Sequence, residues 1–216
     1  MKYFKYIALN EEVINRFTRL HPEVKSFLND NKQFIVRIMP KLYPCLIHCI
    51  ISQDYSNNQV IKATTNLSNL VNNKIKINKI IYLKKDILSK AIMSEEKATL
   101  ILTISKDIKV KILKLKQCLK LTEKDVISLF KKYKSLKINT IKLFCIFGCF
   151  KKNILCDHDP NFIKGLKIFL KTKKTINKSL LNEISLKYSP YNTIFSLLMW
   201  KIYNDSKNTN DRNNNW

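Results

Sequence analysis

Glycine is almost missing from this 216-residue chain, which has only Gly148 and Gly165, and prolines number five. A β-sandwich or barrel needs both residue types for its many tight turns, so those architectures are excluded and an all-α fold of short helices joined by polar loops is expected. Acidic residues are scarce as well, 16 against 40 lysines and arginines, for a formal net charge of +24. A field of that sign concentrates polyanions at the surface, and nucleic acid is the natural candidate partner. Arginine, however, is confined to Arg16, Arg19, Arg37 and Arg212. Abundant Lys, Asn and Ile are what an AT-rich genome writes by default, so part of the charge is compositional.

Also missing is any C-x-x-C pair among Cys45, Cys49, Cys118, Cys145, Cys149 and Cys156. Neither a zinc knuckle nor a four-cysteine iron–sulfur loop can be drawn, and no metal or cofactor is expected. Cys45/Cys49 and Cys145/Cys149 sit at helical spacing on apolar faces, the pattern of small buried hydrophobes in a reducing compartment. No apolar run approaches the length of a membrane span, and the first residues lack the apolar stretch of a secretion signal. A soluble, intracellular monomer is expected, cytoplasmic in a bacterium, or in the nucleus or another DNA-containing organelle of a eukaryote. The length suits one globular unit, residues 1–203, followed by an Asn-rich, disordered tail over 204–216.

Periodicity and capping residues place about ten short helices. The first covers Asn10–Leu20, and Pro22 opens another at a first-turn position. An apolar helix follows at Leu42–Ser52, and Ser56 caps the next, to about Leu70. Asn73–Lys79 reads as a basic loop. Asp86–Ala91 is helical, with a break at Ile92–Met93; Ser94 with Glu95 and Glu96 then starts a helix that turns Ala98, Ile101, Leu102, Ile104 and Ile108 inward. Alternation over Ile108–Ile112 fits an extended link or a short strand. Thr122 with Asp125 opens a helix to about Tyr133, and the segment Thr140–Phe150, apolar almost all round, is expected at the centre. Asp159-Pro160 is an N-cap followed by an N1 proline, and helices over Lys178–Lys187 and Tyr191–Tyr203 complete the set.

Five of these segments, in order, resemble the alkylpurine (DNA-3-methyladenine) branch of the helix-hairpin-helix DNA glycosylases. They are Arg19–Lys25 with Tyr43–Ser56, Asp86–Lys97, Leu113–Glu123, the stretch from Thr140 to Leu166, and Tyr188–Trp200. The resemblance spans about Arg19 to Tyr203 and implies a compact multi-helix glycosylase fold. The family's hairpin, Leu-Pro-Gly-Ile-Gly-x-Trp-Thr-Ala, falls on Tyr133–Ile141, where Thr140 is kept but both glycines and the tryptophan are lost. Its aspartate motif, Asp-Leu-Gly-Val-Arg-Arg-Gly-Leu, falls on Asp159–Leu166.

The resemblance therefore implies a DNA-repair hydrolase that flips an alkylated purine, such as 3-methyladenine, out of double-stranded DNA and releases it by water attack. Cleaving the base–deoxyribose bond builds positive charge on the sugar, which an ionised carboxylate stabilises. Asp159 takes that role, although an ordinary N-cap is the plain alternative, and Asp157 is the fallback. Tyr188, at the place of a pocket tryptophan, with Asn139 and His158, makes up the expected base pocket; electron-rich rings suit a base made cationic by alkylation. Gln53 matches a glutamine near the gap left by the flipped base, and Ser135, Lys137 and Thr140 form the expected hairpin contact to phosphate. Strand-nicking relatives carry a lysine nucleophile immediately before the hairpin threonine; Asn139 stands there, which implies a monofunctional enzyme. A non-catalytic DNA-binding protein that keeps the fold is the alternative, since the hairpin has lost its glycines and tryptophan.

Overall fold

Local rules account for most helix boundaries in the computed structural model, which describes residues 5–28 and 35–213. Among the described residues there are eleven α-helices, two 3-10 helices and two short strands. The strands, β1 (Lys5–Ala8) and β2 (Ile35–Ile38), pair in one small sheet that the periodicity does not reveal. No helix among the described residues is long and apolar enough to cross a membrane.

Tertiary contacts divide the chain into two compact units: Arg37–Phe150 with the first residues, and Tyr6–Val36 with the segment from Lys151 onward. The stretch Arg37–Phe150 is thus inserted between the two segments of the second unit along the chain.

The first unit contains α2 (Leu42–Ser52), α3 (Asn57–Leu70), α4 (Ile77–Ile80), α5 (Lys85–Ile92), α6 (Glu95–Lys109), α7 (Glu123–Phe130) and α8 (Ile138–Phe147). α2 is buried almost all round, at Cys45, Leu46, Ile47, Ile50 and Ile51, as befits a central helix, and it packs against α3, α6 and α8. Ser56 and Gln59 close a reciprocal capping box on α3, Thr122 and Asp125 do the same on α7, and Ser94 caps α6. Met93 ends α5 in the left-handed conformation, φ 58°.

In the second unit lie α1 (Glu11–Leu20), the 3-10 helix Pro22–Phe27, α9 (Pro160–Phe169), α10 (Lys178–Lys187) and α11 (Asn192–Asn213). Its core is Phe17, Phe162, Leu166, Phe195, Leu198 and Met199, each fully buried. α9 crosses α11 closely because Gly165 has no side chain there: a Cβ on it would lie 2.0 Å from the Met199 carbonyl oxygen.

Several expectations differ from the structure for physical reasons. Asn73–Lys79 is not all loop, because burial of Ile75 and Ile80 folds Ile77–Ile80 into one helical turn. The alternating run at Ile108–Ile112 makes no strand. α6 continues to Lys109, Lys111 turns at φ 64°, and Val110 and Ile112 are exposed. α8 begins at Ile138 and ends at Phe147, where the amides of Gly148 and Cys149 both turn back to the Phe144 carbonyl. The expected tail from Asn204 is helical as far as Asn213, its last three residues lying outside the described ones. Extending a helix already fixed by buried Phe195, Leu198, Met199 and Ile202 requires no new nucleus, and the Lys201–Asp205 pair spans the junction.

All six cysteines are free and buried, Cys45 and Cys49 on α2 facing Cys145 and Cys149 at the end of α8. Burial and the neighbouring thiols hold the Cys45 thiol protonated, its hydrogen bond with Cys49 being the largest cause.

Candidate functional site

Within the second unit, a stripe on α11 holds the approach to Asp159. Asn192 Nδ2 donates to Asn153 Oδ1 at 2.6 Å; the Thr193 amide donates to the Lys152 carbonyl and its hydroxyl to the Lys151 carbonyl. The Ile154 amide donates to Thr193 Oγ1 at 3.0 Å. One turn on, fully buried Ser196 accepts from the Cys156 amide at 3.0 Å and donates to the Ile154 carbonyl at 3.1 Å. An otherwise irregular segment, 151–156, thereby satisfies its buried backbone groups against one helix face.

Trp200, four residues beyond Ser196 on the same face, completes the stripe. Its indole Nε1 donates to Asp159 Oδ1 at 2.8 Å. The same oxygen accepts from the amides of Asn161 and Phe162, each at 2.9 Å, as the N-cap of α9. Three donors on one oxygen fix the half-buried carboxylate in direction. Trp200 was not singled out as a site residue from the sequence. A signal was present, since Asn192, Thr193, Ser196 and Trp200 repeat at helical spacing within an apolar helix.

The other residues expected around Asp159 are placed differently. His158 is exposed, and its Nδ1 lies 2.7 Å from Asp157 Oδ1. Tyr188, 2 % exposed, is stacked on Phe195 with centroids 3.8 Å apart and planes at 14°; His21 lies 4.6 Å away from it. Its hydroxyl donates to Glu23 Oε1 at 2.8 Å, and burial together with that carboxylate pushes its pKa well above the usual range. Tyr188 lines a cavity of about 500 Å³ with Phe27, Phe169 and Phe195, but neither Asp159 nor His158 lines it.

The first unit gathers the remaining predicted residues into one cluster. α7 and α8 pack together, joined by a turn over residues 131–137 in which no residue has positive φ. The missing glycines are therefore not demanded by backbone conformation. Gln53, at the end of α2, grips this turn with three hydrogen bonds. Its Nε2 donates to the Ser135 carbonyl at 2.9 Å; its Oε1 accepts from the Lys137 amide at 3.0 Å and from Thr140 Oγ1 at 2.8 Å. Lys137, the N-cap position of α8 with no side-chain cap, forms an exposed ion pair with Asp54 at 2.7 Å. Asn139 follows on the first turn of α8, half-buried. The structure thus brings together Gln53, Ser135, Lys137 and Thr140 as sequence reasoning grouped them, while showing that the Gln53 amide faces the hairpin.

No protein-family model matches the sequence, and no curated protein matches it. Solved structures do match. A DNA-3-methyladenine glycosidase from Bacillus halodurans superposes with a TM-score of 0.77 at 17% identity, covering 94% of each chain. A 3-methyladenine DNA glycosylase from Schizosaccharomyces pombe, in complex with abasic DNA, gives 0.69 at 16% identity over 89% of this chain and 90% of that one. An 8-oxoguanine glycosylase/lyase from Clostridium acetobutylicum gives 0.74 at 13% identity over 90% and 71%. The chain has the all-α fold of the helix-hairpin-helix DNA glycosylases.

Proposed function

We propose that this protein is a monofunctional DNA-repair glycosylase that removes alkylated purines such as 3-methyladenine from duplex DNA. The observation that carries the reading is the Asp159 carboxylate, aimed by two helix amides and the Trp200 indole on a fold shared with solved glycosylases. A carboxylate held in place before reaction stabilises the positive charge that grows on the sugar as the base departs, without reorganising. Attack falls to water, because the position before Thr140 is Asn139, which has no nucleophilic amine.

Contact with DNA is assigned to the hairpin. Lys137 stands at the N-cap of α8 and makes no side-chain cap of its own there. Backbone amides and a lysine suit phosphate and read no sequence, as a scanning repair enzyme requires. The net charge of +24 adds long-range attraction.

A second reading, DNA binding without catalysis, is favoured by Tyr188, whose ring is already stacked on Phe195 and buried. Base release from alkylated duplex DNA decides between the two. Wild type should liberate methylated purines, and Asp159→Asn, which still caps α9, should bind DNA yet release base about 100-fold more slowly or worse. If wild type binds duplex DNA with steep salt dependence but releases nothing, the catalytic reading is overturned.

A further inference from the structure

The turn between α2 and α3 is held from two sides. From one side Gln53 makes its three hydrogen bonds to the hairpin, and Asp54, in the left-handed region at φ 59°, pairs with Lys137. Few non-glycine residues adopt that conformation, so the turn is shaped by its contacts more than by local preference.

From the other side comes Lys97 of α6, only 6 % exposed. Its ammonium donates to the Ile51 carbonyl at 2.8 Å, one of the last carbonyls of α2, which have no partner within the helix. It also lies 3.0 Å from the centroid of the Tyr55 ring. The Tyr55 hydroxyl in turn donates to the carbonyls of Ile92 and Met93 at the end of α5, 2.8 Å each. Lys97 therefore touches residues on both flanks of Gln53 and Asp54. A cation so deep needs such partners, because burial without them is costly.

We propose that this turn is a brace for the hairpin, with Gln53 gripping it and Lys97 anchoring the turn from behind, so that both are positioning residues for binding the DNA backbone. The proposal gives Gln53 a role distinct from filling the gap of a flipped base. It rests on the hairpin's assignment to DNA contact under the proposed function, and its consequences for the hairpin itself can be measured without DNA.

The anchor is sensitive to pH. Burial pushes the Lys97 ammonium down to about 8, against the favourable charges of Asp54 and Glu96 and with the opposing charge of Lys137. Above that pH the lost proton takes with it the attraction to the Tyr55 ring and to Asp54. The brace therefore slackens between pH 7 and 9, and duplex binding weakens with it.

The test compares wild type, Gln53→Ala, Lys97→Met and Lys137→Ala, by amide hydrogen exchange over residues 135–141 and by affinity for undamaged duplex DNA at pH 7 and 9. Faster hairpin exchange is expected in Gln53→Ala and Lys97→Met, with binding weakened about tenfold at pH 7. Lys97→Met should also remove the pH dependence of binding that wild type shows, which a merely structural loss would leave in place. Unchanged hairpin exchange in both variants overturns the brace. Should Lys97→Met not fold, half-buried Gln53 carries the test alone. If Lys137→Ala leaves duplex binding intact, the hairpin's assignment to DNA falls, and the exchange data still decide the brace.

Discussion

Replacing Gly165 with alanine adds one methyl group where two backbones already touch. The new Cβ would sit 2.0 Å from the Met199 carbonyl oxygen and 2.7 Å from the carbonyl carbon. Neither is the flexible end of a side chain, so relief requires α9 and α11 to separate. Ordinary contact begins near 3.4 Å, an opening of about 1.4 Å at the crossing. Overpacking of a tight core costs about 1–3 kcal/mol, and a clash between two helix backbones falls at the upper end. For a chain of this size, about 3 kcal/mol corresponds to a thermal midpoint lower by about 6–12 °C. Trp200 is the neighbour of Met199, so a comparable shift takes its indole nitrogen from 2.8 Å to well beyond hydrogen-bond range of Asp159. Gly165→Ala should therefore unfold earlier, shift the tryptophan emission at temperatures where it is still folded, and lose base release out of proportion to its folded fraction. Calorimetry and fluorescence provide the measurement. A midpoint within about 2 °C of wild type would refute the reasoning, since it requires less than about 1 kcal/mol of strain.

Three further outcomes are expected. Trp200→Phe keeps an aromatic ring but removes one of three donors to Asp159 Oδ1, and base release should fall about tenfold while DNA affinity holds, in single-turnover and binding assays. Tyr188→Phe keeps the stack on Phe195 and loses the bond to Glu23, so urea unfolding should report a loss of about 1 kcal/mol. Burial lowers the pKa of His21 below its ordinary 6.5 despite the opposing charge of Glu23. The unfolded chain then takes up the proton first as pH falls. Stability contributed by the neutral ring is present above pH 6.5 and lost as pH falls through the folded-state value. Denaturant titrations from pH 7.5 to 5 should show that decline, and His21→Phe should flatten it.

Much of the secondary structure was legible because capping is a local affair. Ser56, Ser94, Thr122 and Asp159 each satisfy amides two or three residues ahead, so their side chains announce the helix starts that the structure contains. The same locality explains the errors. A run such as Ile108–Ile112 alternates whether or not a partner strand exists, and only the surroundings show that none pairs with it among the described residues. The order of family-like segments carried the fold, because a glycosylase-like succession of helices leaves its trace along the whole chain.

The site divided along the same line. Residue types at Asp159, Thr140 and Lys137 could be read from their place in a motif. Which atoms they meet could not, because the deciding contacts join residues far apart in sequence: Trp200 reaches Asp159 across 41 positions, Gln53 reaches Thr140 across 87, and Tyr188 reaches Glu23 across 165. By itself the sequence determined an all-α, strongly basic chain with capped helices and an aspartate at a helix start, since composition, periodicity and capping act over one or two turns. Only the tertiary structure decided that Asp159 is aimed by an indole, that Gln53 grips the hairpin and that the Tyr188 ring is a core contact, because those outcomes depend on which helix faces pack together.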